Sequence, residues 1–405
     1  MLAEHEAHNL YLETFGDPAG AKMLTVHAPA RSEIAGNHTD HEGGCVIAGA
    51  LNASIDGAAA LNGTDTINVA SKGFGSLSIA LDDLSVHDDE HNTAAAFVRG
   101  VAHEMLQTGR EPQGFNLALS TSIPSGAGLS SSGAFEATLA RTMGMLWDGP
   151  YLGPVELAFL CQRVEHTYFG KPCGLMDQLS VILGGLSFMD FSDPNRPTNE
   201  VLDASFETFG HALFLIDVGC DHTQFNYEYV QVAREMQMVA KQLGKTRLCE
   251  VAEEDFDEAV PMLRERLGDR AVLRAIHFWR ENRLVKERWR ALKAGDFRTF
   301  LERTKESGAS SAMFLQNIST GGTFQPAMVV IGMAQRALGS YGAARIHGGG
   351  FGGTVQAFVP LDMADIFKER MDGWLGEGSC RRYEISPMGA YAVWWDYDND
   401  LDRPF

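Results

Sequence analysis

Ile123-Pro124-Ser125-Gly126-Ala127-Gly128-Leu129-Ser130-Ser131-Ser132-Gly133-Ala134 joins a glycine-rich turn to the start of a helix. Gly126 and Gly128 can take backbone angles closed to other residues and leave room for a ligand against the main chain. The apolar residues that follow, Phe135, Leu139, Met143 and Leu146, recur at helical spacing. Ser130, Ser131 and Ser132 therefore fall at a helix N-terminus, with unpaired N–H donors and a positive dipole. A triphosphate suits such a turn, and the hydroxyls are oxygens that a hard cation such as Mg²⁺ accepts. Alone, the same residues also make an ordinary turn with a serine cap. No lysine follows the glycines, so the GxxxxGK[ST] pattern of a P-loop is absent.

Context strengthens the phosphate reading. Asn116–Ser120 alternates like a strand directly before the turn, and Ala94–Leu106 reads as a helix before that. After it, Pro154 opens a helix whose buried stripe is Leu157, Leu160, Cys161 and Val164, with Glu165 near its end. Gly170, Pro172 and Gly174 then place Asp177 at a turn. An aspartate there is either a helix cap or, facing the phosphate turn, the group that takes or orients the proton of an attacking hydroxyl.

Two further stretches carry chemistry. Leu24–Ala28 reads as a strand ending at Pro29. The next residues, to Gly44, crowd Arg31, Glu33, Asn37, His38, Asp40 and His41 between apolar segments. Such a loop is either a solvated turn or a set of polar groups that read sugar hydroxyls, since buried polar groups reject ligands that leave them unpaired. Near the other end, the Ala343–His347 and Thr354–Val359 strands flank Gly348-Gly349-Gly350-Phe351-Gly352-Gly353. A hairpin needs two such glycines, so the surplus predicts close approach of backbone to a ligand or to the first glycine turn.

Strands are also expected over Thr66–Ala70, Leu77–Leu81 and Ala212–Val218, and helices over 228–243, 255–267, 269–294, 297–306 and 324–338. The polar stretch Asp190–Phe206, with Pro194 and Pro197, is the expected domain linker. At 405 residues the chain exceeds one ordinary core. Its 53 acidic and 33 basic residues give a net charge of −20, which opposes binding to nucleic acid or anionic membrane, so an anionic substrate needs a local nest of donors. The six cysteines are scattered without disulfide or zinc spacing, and no stretch has signal-peptide or membrane-span character. The expectation is a cytoplasmic protein, a monomer or weak homo-oligomer.

The three segments, in this order and spacing, resemble the motifs of the GHMP small-molecule kinase family, in its galactokinase branch. Arg31–Gly44 is similar to the branch's sugar loop, Pro124–Ser132 to the family phosphate loop and Gly348–Gly353 to its C-terminal glycine turn. Cys173–Gln178 is similar to the segment carrying the catalytic aspartate. The resemblance implies a two-domain α+β fold. A ribosomal-protein-S5-like N-terminal domain, 1–205, holds the phosphate loop, and a ferredoxin-like C-terminal domain, 206–405, carries the third motif. It implies a kinase making a sugar 1-phosphate from ATP, with Asp177 and Arg31 catalytic. Ser125, Gly126, Ala127, Gly128, Leu129, Ser130, Ser131, Ser132, Gly349 and Gly350 would meet the nucleotide. Mg²⁺ would meet Ser132 and Glu165, and the sugar would contact Asn37, His38, Asp40, Gly174 and Tyr229. His41 and His347 are expected to be structural. Asn37 stands where galactokinases carry a glutamate toward the sugar's C6, and an amide there also tolerates a carboxylate. Galactose is thus the first expectation and galacturonate the second. A non-catalytic sensor of this fold is the competing class, against which the intact Ser130–Ser132, Arg31 and Asp177 speak.

Overall fold

The computed structural model describes residues 2–18, 20–124, 128–171, 173–220, 225–319 and 321–395. Two sheets organise them. The first combines β1 (Leu24–Ala35), β2 (Cys45–Leu61), β3 (Thr66–Ser71), β4 (Gly75–Ala80), β5 (Phe115–Thr121), β6 (Leu186–Asp190) and β7 (Thr198–Leu202). The second combines β8 (His211–Asp217), β9 (Ala343–Ile346), β10 (Thr354–Pro360) and β11 (Cys380–Tyr383), and β12 (Tyr391–Trp394) returns to the first. The first sheet runs β12-β1-β2-β5-β3-β4, with β6 and β7 added beside β2. The order of the second is β11-β8-β10-β9, wholly antiparallel, which puts its strands fourth, first, third, second as in a ferredoxin-like layer.

Alternation in β2 sorts the first layer. Ala58 and Ala60 face helix α1 (Leu2–Phe15) with Tyr11 and Ala7, whereas Ala59 joins the large core on the other side. That core is roofed by α2 (Ala94–Gln107), α3 (Ser131–Leu146), α4 (Pro154–Val164) and α5 (Met176–Leu183). Helices α6 (Asn226–Gln242), α7 (Glu253–Leu267) and α8 (Asp269–Lys293) form a second cluster around Met236, Phe256 and Phe278. Then α9 (Phe297–Ser310) packs beside α8, and α10 (Pro326–Leu338) and α11 (Ala364–Leu375) cover the second sheet through Val330 and Phe367. The large core takes Trp289, Phe300 and Phe358 from the second half of the chain, so apolar packing runs across from one sheet to the other. Among the described residues no helix is long and apolar enough to cross a membrane.

Two expectations change, and one open point is resolved. The first strand does not end at Pro29 but continues to Ala35. The ladder register slips between Pro29 and Arg31, which absorbs the proline's missing N–H and frees the N–H of Arg31 to bond the Leu129 carbonyl at 3.2 Å. The polar loop is consequently half strand, and the slip aims Arg31 at the phosphate turn. The expected linker carries an edge strand, β7, paired with β6. Finally, the strand β12 pairs with β1 from Leu24↔Trp394 to His27↔Tyr391, although the sequence places it in the second half.

Candidate active site

Between β5 and α3 the chain makes the glycine turn. Ser125, Gly126 and Ala127 lie outside the described residues; Gly128, Leu129 and Ser130 lie within them. Gly128 and Ser130 both take the left-handed conformation, at φ 70° and 56°. For serine this is a sparsely populated region, held by the surrounding structure. No acidic side chain occupies the first turn of α3, so its donors and dipole stay available to an anion. Gly133 sets how close α3 comes to α5: a Cβ there would lie 2.8 Å from Ser130 Oγ and 3.6 Å from the Asp177 backbone.

Arg31 ties this turn to α5. Its Nε and Nη2 donate to the two oxygens of Asp177 at 2.8 and 2.7 Å, and Nη1 donates to the Gly128 carbonyl at 2.7 Å. The fork geometry that only arginine offers is thus used on the carboxylate and the turn together. Asp177 sits in the first turn of α5. Burial alone would raise its pKa, but the charge and hydrogen bonds of Arg31, with Lys171 behind them, hold the carboxylate below its ordinary value. Asp177 is therefore an ion at neutral pH.

Asp40 stands close enough to Asp177 for the two charges to oppose each other. Burial, followed by that repulsion, raises the Asp40 pKa, against the pull of His41. Gly174 makes room for it, since a Cβ at that position would fall 1.8 Å from Asp40 Oδ2. His38 is buried and, with His41 beside it, pushed down to about 3, so it is neutral. Its Nε2 bonds the Gly349 carbonyl at 2.9 Å and its Nδ1 meets His41 Nε2 at 3.2 Å, while its ring lies 5.1 Å from that of Tyr229. Tyr229 in turn lies over Gly349, where a Cβ would come within 2.0 Å of the phenol ring.

Gly349 and Gly350 of the third segment are explained by contacts of this kind. Gly350, at φ 81°, lies against the Asn317 carbonyl, which a Cβ would approach to 2.1 Å. In the described contacts the glycine backbone meets side chains of the sugar loop and Asn317 rather than the phosphate turn, the carbonyls of Gly348 and Gly349 accepting from Asn37 Nδ2, His38 Nε2 and Asn317 Nδ2. His347 is buried between Ser32 Oγ at 3.0 Å and Thr354 Oγ1 at 2.7 Å.

Asn37 finds its partners within the chain. It is fully buried, its Nδ2 donating to the Gly348 carbonyl and to Glu33 Oε1, its Oδ1 accepting from Asn317 Nδ2 at 2.7 Å and Ser311 Oγ at 3.2 Å. With both donors and both lone pairs engaged, the amide clamps the sugar loop to the third segment and has no free group for a sugar C6.

Glu165 ends α4 at a π turn and is 2% exposed. One oxygen accepts from Gln178 Nε2 at 2.6 Å and the other from Lys171 Nζ at 3.3 Å. Gln178 also donates to the fully buried Glu136 at 3.3 Å. Burial, then the nearby charge of Glu165, drives the Glu136 pKa well above its usual range. The oxygen Oε1 of Glu136 has no hydrogen-bond partner. Two carboxyl groups that share the Gln178 amide, one of them with an unpartnered oxygen, are hard oxygen donors of the kind that Mg²⁺ takes.

Sequence reading missed Glu136, Lys171 and Gln178, and it missed the ionic network under the sugar loop. There Arg345 Nη2 donates to Glu33 Oε1 at 3.1 Å and Arg345 Nη1 lies 3.9 Å from Glu281 Oε1, all three being at most 3% exposed. Glu281 further accepts from Ser307 Oγ at 2.8 Å and the Gly36 N–H at 3.2 Å. The available signal for Glu136 was a carboxylate within an otherwise small and apolar helix face.

Residues 96–185 match the family model of the GHMP kinases N terminal domain, and residues 9–61 match the galactokinase galactose-binding signature. The galactokinase of Actinobacillus pleuropneumoniae serotype 5b (strain L20) is 31% identical over 368 residues, 89% of this chain and 90% of that one. The galactokinase of Clostridium tetani is 26% identical over 372 residues, 91% of each chain. Among solved structures, Lactococcus lactis galactokinase complexed with galactose superposes with a TM-score of 0.81 at 23% identity, covering 95% of this chain and 98% of that one. A mevalonate kinase superposes with a TM-score of 0.62 at 16% identity over 90% and 99%; these two likenesses establish the fold. Since a relative at 31% identity matches nearly the whole of both chains, and both family models match around the phosphate turn and the sugar loop, the chain belongs to the galactokinase family of GHMP kinases.

Proposed function

We propose that the protein transfers the γ-phosphoryl group of ATP to the anomeric hydroxyl of galactose, giving galactose 1-phosphate. The observation that carries this reading is the Arg31–Asp177 pair, bonded through Gly128 to the phosphate turn and facing Asp40 on the sugar loop. Asp177, held ionised, accepts or orients the hydroxyl proton, and Arg31 fixes that carboxylate against the turn on which the phosphates lie. Positioning and charge are what such transfers chiefly require. In this reading Gly128 to Ser132 border the nucleotide, and His38, Asp40, Gly174 and Tyr229 border the sugar, with Gly349 and Gly350, expected on the nucleotide, lying against Tyr229 and Asn317. Ser132 and Glu165 would hold Mg²⁺, whose charge offsets that of the phosphates. The two halves, meeting near residue 205, supply the phosphate turn and the glycine-rich third segment respectively, with β12 returned to the first. With ATP as the phosphoryl donor, the setting of this reaction is cytoplasmic.

An ADP-release screen with galactose, galacturonate, N-acetylgalactosamine, arabinose and glucose tests the assignment. Galactose is expected to give the highest kcat/KM; a different leading sugar overturns the substrate, and no sugar-dependent turnover overturns the activity. Galacturonate gains no support from the geometry, because the Asn37 amide is engaged by Gly348, Glu33, Asn317 and Ser311.

Two substitutions probe the sugar side. In Gly174→Ala the new methyl displaces Asp40, and misplacing a positioning group costs up to ~10²-fold, so kcat/KM for galactose is expected to fall on that order while Tm changes little. Unaltered kinetics would remove Asp40 from the sugar. Asn37→Glu places a second carboxylate against Glu33, so a lower Tm is expected, with the galactose to galacturonate ratio of kcat/KM unchanged. A tenfold change in that ratio would return residue 37 to the sugar's C6.

A further inference from the structure

Lys171 pairs with Glu165 and its charge reaches Asp177, yet no step described above brings it to the substrates. The π turn Glu165–Phe169 and Gly170, at φ 82°, fold the chain back so that the Lys171 N–H bonds the Glu165 carbonyl at 3.0 Å. Its ammonium then reaches Glu165 Oε1 at 3.3 Å, and its charge also acts on Asp177. The side chain is 56% exposed, whereas that of Arg31 is 9% exposed and fixed by three hydrogen bonds. Two cations therefore act on Asp177, one clamped and one on a flexible four-carbon stem. Around them stand the carboxylates of Asp40, Asp177 and Glu165 in a chain of net charge −20, a setting that repels an anionic nucleotide unless positive charge can move to meet it.

We propose that Lys171 is a catalytic residue, the mobile cation that leaves Glu165 to contact the transferring phosphoryl group. This rests on the kinase reading above. As the bond from the γ-phosphorus to the ADP oxygen breaks and the bond to the sugar oxygen forms, the sugar proton goes to Asp177 or solvent and Lys171 keeps its own. Its contribution is charge that follows the phosphoryl oxygens, which Arg31, fixed on Asp177 and Gly128, does not supply.

The test uses Lys171→Ala, Lys171→Met and Lys171→Arg in the full chain. Loss of one preorganised charge commonly costs about 10²-fold in turnover, and that fall in kcat is expected for alanine and methionine with KM for galactose within about 2-fold. Arginine should recover most of it. Added ethylammonium should raise the kcat of Lys171→Ala saturably, which a loop-stabilising role would not produce. Calorimetry with ATP in EDTA, without sugar or metal, should give weaker binding for methionine than for wild type. Full turnover in Lys171→Met, or no response to the amine together with unchanged ATP binding, overturns the proposal. Should the wild type fail to phosphorylate galactose, the sugar assignment falls while the metal-free ATP titration still decides Lys171.

Discussion

Asp177→Asn is expected to lower kcat on galactose by about 10²-fold or more, the usual cost of losing one preorganised group at the reacting atoms. The amide keeps the shape and one acceptor for Arg31 but neither the charge nor the basicity of a carboxylate held ionised. Arg31→Ala should fall comparably and also weaken nucleotide binding, since it removes the bond from Nη1 to the Gly128 carbonyl. Arg31→Lys should rescue little, because an ammonium has no fork with which to hold both oxygens of Asp177. Residues acting as one unit are not additive, so the double variant Arg31→Ala/Asp177→Asn should be scarcely slower than either single one. Steady-state kinetics with circular dichroism on each variant checks this. Folded variants with near wild-type turnover would remove the pair from the chemistry.

The largest expected effect on stability lies elsewhere. Arg345→Met leaves Glu33 and Glu281 buried without their shared cation, and breaking a buried pair from one side typically costs about 3–5 kcal/mol. Thermal and urea unfolding should register that loss. Adding Glu33→Gln should restore part of it, because removing both charges avoids the uncompensated one. Burial, the dominant influence, and the nearby Glu281 already lift Glu33 from 4.5 to about 7 despite Arg345. Between those two values the native state binds a proton that the unfolded state does not. Glu33 therefore favours folding less as pH rises through that window, and Glu33→Gln alone should flatten this part of the stability profile. If Arg345→Met unfolds at the wild-type midpoint, the network is not what joins the sugar loop to the second sheet.

The parts legible in the sequence are those fixed by short-range requirements. Glycines with a serine-led helix start mark the phosphate turn, and periodicity gives α2, α3, α4, α8 and the β9–β10 hairpin to within a few residues. Arg31 and Asp177 were found by type and motif, though 146 positions separate them. What escaped was set by pairing at long range. Arg345 meets Glu33 across 312 positions, and neither residue's flanks announce it. Asn37 looked free to read a sugar because its partners, Asn317 and Gly348, lie about as far away in the sequence. Pro29 suggested a strand end because its tolerance depends on a register slip against β2, which local pattern does not encode. Likewise β7, polar and with prolines before it, is a strand only because β6 offers an edge.

The central claim is that the Arg31–Asp177 pair serves transfer of a phosphoryl group to the anomeric oxygen of galactose. Phosphorus NMR of the product formed from galactose and MgATP tests it most directly. The account predicts one new phosphomonoester coupled to the anomeric proton, forming in step with ADP for the wild type and about 10²-fold more slowly for Asp177→Asn. ADP without a sugar ester, an ester at another carbon, or equal rates for the two proteins would contradict it.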